Sequence, residues 1–112
     1  MKMCIFCKII KGDIPSKKVY EDEKVLAFRD IDPKAPVHIL VIPKQHVDTV
    51  DQLEDMSVVA DLFAVMKKIA AEEGIAGSGY RIVVNHGKNA GQAVPHLHFH
   101  LLGGRELSWP PG

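Results

Sequence analysis

His96-Leu97-His98-Phe99-His100-Leu101-Leu102 decides how this chain is read. Polar and apolar residues alternate through it with the period of a β-strand. The pattern predicts a strand from His96 to Leu102 with its three imidazoles on one face, spaced by a rise of about 3.3 Å per residue. Leu97, Phe99 and Leu101 then point the other way, into a core. A single histidine in such a strand is ordinarily a cross-strand partner without chemistry. Three in register make a poor core and an unusual surface, and they point to function. Two kinds of chemistry fit. A His-x-His strand can present two ring nitrogens to one metal ion, or one imidazole can act as a nucleophile while its neighbours hold a substrate. The preceding loop, Asn85-His86-Gly87-Lys88-Asn89-Ala90-Gly91-Gln92, is polar and contains glycines that let backbone N–H groups approach an anion. Beside a face of imidazoles it points to a phosphate site.

Outward from this strand, the other elements follow from periodicity and punctuation. Cys4 to Lys11 reads as a short helix with Ile5, Ile9, Phe6 and Ile10 towards one side, stopped by Gly12. Lys17–Tyr20 and Val25–Phe28 read as strands joined by the acidic turn Glu21-Asp22-Glu23. A proline-containing loop, Asp32 to Pro36, precedes a strand from His38 to Ile42. The long helix runs from Ser57 to Glu73 and ends at Gly74. Its Val58, Leu62, Val65, Met66 and Ile69 fall at helical spacing, a stripe assigned to core. Tyr80–Val84 is a further strand. The order helix, three strands, long helix, two strands predicts an α+β fold with a mainly antiparallel sheet.

The length of 112 residues suits one compact domain. Lys+Arg and Asp+Glu both count 14, so there is no basic excess of the kind that nucleic-acid or anionic-membrane binders show. A small anionic ligand needs only a few local donors. The N-terminus carries no apolar run of signal-peptide length, and Ile39–Ile42 is too short to span a bilayer, so a cytoplasmic location is expected. In that compartment Cys4 and Cys7 stay reduced, leaving metal binding, redox chemistry or burial for the pair. Their spacing suits zinc, but two cysteines do not close a site.

The histidine strand, with Phe28-Arg29-Asp30-Ile31, Ala35-Pro36-Val37-His38, Val41-Ile42-Pro43-Lys44, Leu102-Gly103-Gly104-Arg105 and the closing Trp109-Pro110-Pro111-Gly112, closely resembles the histidine-triad (HIT) family, and within it the HINT branch. The resemblance covers nearly the whole chain. It implies a HIT-like fold, a five-stranded mainly antiparallel sheet with a short N-terminal helix and one long helix, as a single HIT domain over 1–112 with a tail at 105–112. It implies hydrolysis of purine nucleoside 5′-phosphoramidates, with His98 as nucleophile, His100 donating to a phosphate oxygen and His38 supporting it. For the nucleotide it implies a ribose contact from Asp30 and a base lying against Ile31. Phe6, Ile9 and Phe28 are further pocket residues, and Asn85 with the backbone of Gly91, Gln92 and Ala93 reaches the phosphate. Phe6 and Ile9 equally suit a buried helix face, and Asp30 equally suits a cap on the following loop. Ala93 stands where HINT proteins usually carry a serine, and Pro95 is unusual just before the triad. Some relatives add two histidines to a cysteine pair. Here that set is Cys4, Cys7, His46 and His96, a structural zinc site not needed for catalysis; buried thiols are the alternative. A symmetric homodimer is also implied. The competing functions are a nucleotide-binding scaffold with vestigial hydrolysis, a metal-dependent hydrolase ligated by the triad itself, and a dinucleoside polyphosphate hydrolase.

Overall fold

The computed structural model describes residues 4–112. Its elements are helix α1 (Ile5–Lys11), strands β1 (Lys18–Glu21), β2 (Val25–Arg29) and β3 (Val37–Pro43), helix α2 (Ser57–Glu72), and strands β4 (Tyr80–Val84) and β5 (Phe99–Gly103), with a single 3-10 turn at Val50–Gln52. The five strands form one antiparallel sheet in the order β1-β2-β3-β5-β4. The α+β fold read from the sequence is thus the one observed. α1 ends where Gly12 adopts φ 85°, a left-handed conformation natural to glycine, and its N–H caps the carbonyls of Ile9 and Lys8.

Every residue of β3 is buried, because both faces of this central strand are covered. On one face Val37, Ile39 and Val41 join Leu62, Met66 and Ile69 of α2 with Leu97, Phe99 and Leu101. On the other, Leu40 and Ile42 meet Leu26, Phe28 and the α1 residues Phe6 and Ile9. Removing each fully buried side chain of this size from water contributes about 1.5–3 kcal/mol. α2 packs across β1, β2 and β3. Its Phe63 flank, edge-on to Phe99 at 5.8 Å, therefore stays 41% exposed.

The last strand begins three residues later than the alternation predicts, at Phe99. Pro95 brings no N–H to a ladder. The His96 N–H turns back to Val94 O, and that of Leu97 goes to Val47 O at 2.7 Å. Residues 96–98 therefore extend beyond the end of β4, whose Val84 pairs with Phe99. Alternation survives: Leu97 joins the α2-side core, whereas His96 and His98 face α1 and contact Phe6.

Candidate functional site

Antiparallel pairing of β3 with β5 sets Leu40 opposite His100 and His38 opposite Leu102. His38 and His100 are thus diagonal neighbours, with ring centroids 5.2 Å apart. The Lys34 backbone N–H donates to His38 Nδ1 at 3.0 Å, so the His38 proton resides on Nε2. That nitrogen lies 2.9 Å from His100 Nδ1 and donates to it. His100 then carries its own proton on Nε2. The two nitrogens that face each other already share a hydrogen, so this pair is built as a hydrogen-bonded relay and not as a cage for a cation. Asp30 Oδ2 stands 3.5 Å from His38 Nε2. The other Asp30 oxygen accepts from the Asp32 N–H at 2.8 Å, the loop cap that its sequence position allowed. Burial, and then the nearby His98 and His38, push the His100 pKa down to about 4. Burial likewise lowers that of His38. Both rings are neutral at pH 7.

His98 is 93% buried, with its ring edge-on to Phe6 at 5.2 Å. Its Nδ1 donates to the His96 carbonyl at 2.7 Å, which fixes the tautomer, and among the described residues the Nε2 lone pair has no partner. The His98 and His100 rings are 5.1 Å apart. A lone pair therefore sits beside the N–H of a neutral imidazole, a nucleophile next to a donor for an anionic oxygen.

Cys4, Cys7, His46 and His96 converge behind this face. The sulphur–nitrogen distances run from 3.2 Å (Cys7 to His46) to 3.6 Å (Cys7 to His96), and the two Nδ1 atoms are 3.1 Å apart. Tetrahedral zinc bonds of about 2.3 Å to sulphur and about 2.0 Å to nitrogen require edges of roughly 3.5 Å and 3.3 Å. The donor set fits that tetrahedron. The outer nitrogens are occupied as ligation demands: His96 Nε2 donates to Pro43 O at 2.9 Å and His46 Nε2 to Asp48 Oδ1 at 2.6 Å, which turns both Nδ1 lone pairs inward. Burial and the adjacent Cys4 raise the Cys7 pKa, so ionising both thiols calls for a cation between them.

The residues that the resemblance assigns to a nucleotide divide. Asp30, Ile31 and His38 line a cavity of about 620 Å³, with the Ile31 side chain 98% exposed to it and to solvent. Asn85 and His100 line a smaller adjoining hollow of about 320 Å³. Phe6, Ile9 and Phe28 line neither: they are buried beneath the histidines as core, because α1 needs an apolar face against the sheet. Of the three amides assigned to the phosphate, two are otherwise engaged. Gly91 N–H bonds Lys88 O and Gln92 N–H bonds Gly87 O, in a turn where Gly87 and Gly91 both take φ 81°. Among the described residues the Ala93 N–H alone of the three has no partner, and none of Gly91, Gln92 and Ala93 lines either cavity. Sequence reasoning missed Lys34, Pro43 and Asp48. The first two act through main-chain atoms and leave no side-chain signal; Asp48 follows His46 by two residues and was legible as its acceptor. His86, the sixth histidine, pairs with Asp51 at 3.0 Å and lines neither cavity.

A family model for the HIT domain matches residues 11–107. The chain is 52% identical over 112 residues to a 14 kDa zinc-binding protein of Zea mays, spanning 96% of this chain and 87% of that protein. Among solved structures it resembles a HIT family hydrolase from Legionella pneumophila Philadelphia 1, at TM-score 0.95 and 49% identity over 97% of this chain and 99% of that one. It also resembles a histidine triad nucleotide-binding protein from Candida albicans, at TM-score 0.83 and 38% identity over 96% and 82%. No helix among the described residues is long and apolar enough to cross a membrane.

Proposed function

Because the chain belongs to the HIT domain family, we propose that it is a hydrolase of purine nucleoside 5′-phosphoramidates, of the HINT branch and of a zinc-binding variant within it. The observation that carries this is the state of His98: its Nδ1 proton is held by the His96 carbonyl, and its Nε2 lone pair stands beside His100. Nε2 forms a bond to the α-phosphorus while the bond from phosphorus to the amine breaks. The amine leaves with the electron pair and takes up a proton from solvent water. The imidazolium so formed is stabilised through its Nδ1–H by the His96 carbonyl. His100 donates from Nε2 to a non-bridging oxygen and is held to that task by His38. Water then attacks phosphorus and gives up a proton to solvent, the bond from phosphorus to Nε2 breaks with its electron pair returning to His98, and the nucleoside monophosphate is released. Asp30 takes the ribose hydroxyls with its Oδ2, and Ile31 covers the base. The experiment is turnover of adenosine 5′-phosphoramidate by the wild type beside His98→Ala. Measurable wild-type turnover that survives the substitution contradicts the assignment.

Cys4, Cys7, His46 and His96 hold the zinc, which when bound supplies a structural cross-link. That link ties α1 to the segment leading into β5, and no step of the reaction passes through the ion. The homodimer rests on β4, a sheet edge with Tyr80 and Val84 exposed, and on the exposed Phe63 of α2. Light scattering at micromolar concentration gives twice the 12.4 kDa chain mass if this is right, and one chain mass if it is not.

A further inference from the structure

Gln92 was read from the sequence as a contributor of backbone to the phosphate, yet its side chain does something else. The carboxamide uses both of its N–H groups and its oxygen. Oε1 accepts from the Gly87 N–H at 3.0 Å, and Nε2 donates to Val94 O at 3.1 Å and to Asp48 O at 2.7 Å. The first two bonds close the loop from Gly87 to Val94 upon itself. The third leaves the loop and grips the main chain of the residue whose carboxylate orients His46, at 2.6 Å from His46 Nε2. One residue, Asp48, thus holds His46 with its side chain and the loop from Gly87 to Val94 with its carbonyl.

A second strut lies alongside. The Leu97 N–H bonds Val47 O at 2.7 Å, between the ligands His46 and His96. His96 in turn presents the carbonyl that holds His98 Nδ1. Segment 46–48 and segment 92–97 are therefore joined by main-chain and carboxamide hydrogen bonds and, when the tetrahedral site is filled, by the ion itself. A ring closed at several points loses much of its freedom when any one closure is made, so the closures reinforce one another.

On the functional reading given above, we propose that Gln92 is a positioning residue that couples occupancy of the Cys4–Cys7–His46–His96 site to the order of the loop presenting the Ala93 N–H. Gln92 touches no reacting atom. It transmits the position of segment 46–48 to residues 87–94, and by reciprocity it slows the loss of zinc. Ala93 sharpens the dependence: a serine hydroxyl on a mobile loop can still reach a ligand, whereas a main-chain amide is placed only if the loop is placed.

The test uses the full-length protein, zinc-loaded and chelator-stripped, as wild type and as Gln92→Met, which keeps the side-chain length and removes every polar contact. Amide hydrogen exchange is read over residues 86–94 and zinc release is read against a chromogenic chelator. In the wild type, stripping zinc speeds exchange of this loop by roughly 5-fold or more, the lower end of ordinary coupling between sites. In Gln92→Met the loop exchanges fast even with zinc and changes by less than about twofold on stripping, the non-additivity that marks a coupled pair. Zinc release from the variant is faster by several-fold, and kcat for adenosine 5′-phosphoramidate falls roughly 10-fold while KM moves little, as misplacement of a group that acts in the transition state requires. A staple without coupling gives a different result: stripping speeds exchange by the same factor in both proteins, and zinc release is unchanged. That outcome overturns the proposal, as does a wild-type loop indifferent to zinc. If Gln92→Met does not fold, Gln92→Glu, which keeps the acceptor for Gly87 and loses the donors to Asp48 and Val94, takes its place. Exchange and zinc release need no substrate. Coupled exchange in a wild type that turns over no phosphoramidate rejects the functional reading and leaves the coupling standing.

Discussion

His96 and His98 lie two residues apart, point to the same side and are both more than 90% buried, yet they are prepared for opposite tasks. In His96 the backbone takes Nε2, through Pro43 O, and leaves Nδ1 to the thiols of Cys4 and Cys7. In His98 the backbone takes Nδ1, through the His96 carbonyl itself, and leaves Nε2 open on a ring 5.1 Å from that of His100. On the proposed function, which nitrogen a neighbouring carbonyl claims is what separates a ligand from a nucleophile. The histidine at 100 is a third case: its Nδ1 is filled by a side chain, His38, so it keeps a donating N–H.

The sharpest way to break this comparison is to remove each ring in turn. His98→Ala lowers kcat by several orders of magnitude, as loss of a covalent nucleophile commonly does, and retains zinc and nucleoside monophosphate binding. His96→Ala loses zinc and stability and keeps a measurable fraction of turnover. Elemental analysis and steady-state kinetics on the two proteins check this, and exchanged outcomes would reverse the two roles.

A smaller effect isolates the metal. Wild type purified without chelator holds about one zinc per chain, and Cys4→Ser holds far less. The melting temperature of Cys4→Ser, or of chelator-treated wild type, drops by roughly 5 °C or more, while kcat changes less than stability does. Zinc-free wild type of full stability would favour plain buried thiols.

The smallest effect belongs to the relay. The His100 pKa falls to about 4 in the folded chain and lies near 6.5 when unfolded. Between those values the unfolded chain binds the proton and the folded chain does not. Stability is therefore complete above about pH 6.5 and declines as pH falls towards 4. The lowered pKa of His38 acts in the same direction. Urea midpoints from pH 7 to pH 5 should fall in the wild type and fall less in His100→Phe.

Period-two alternation made the order of elements and the histidine face legible, because it is a property of side chains, whereas spacing offered only the Cys4–Cys7 pair and the family resemblance supplied His46 and His96. It placed the start of β5 too early, since His96 to His98 keep the alternation without the ladder. The ladder depends on where Pro95, Val47 and Val84 bring the backbone. Phe6, Ile9 and Phe28 were ambiguous for a related reason: an apolar residue under a site and one lining it look alike until the cavity is seen. The tautomer of His98 is the expected one, its second nitrogen tied to a backbone carbonyl, but those of His38, His96 and His100 were the least legible. The groups that fix them are the Lys34 amide and the carbonyls of Pro43 and His96, which every residue type possesses.

The central claim is that His98 becomes covalently nucleotidylated, and the adduct itself is the most direct measurement. Zinc-loaded protein is mixed with adenosine 5′-phosphoramidate, quenched in the millisecond range at alkaline pH, where a phosphorus–nitrogen bond to imidazole survives, and digested for peptide mass mapping. The account predicts an acid-labile adenylyl group on His98, absent in His98→Ala and formed equally well without added metal. Turnover with no adduct at any time, or an adduct on His96 or His100 instead, would contradict it.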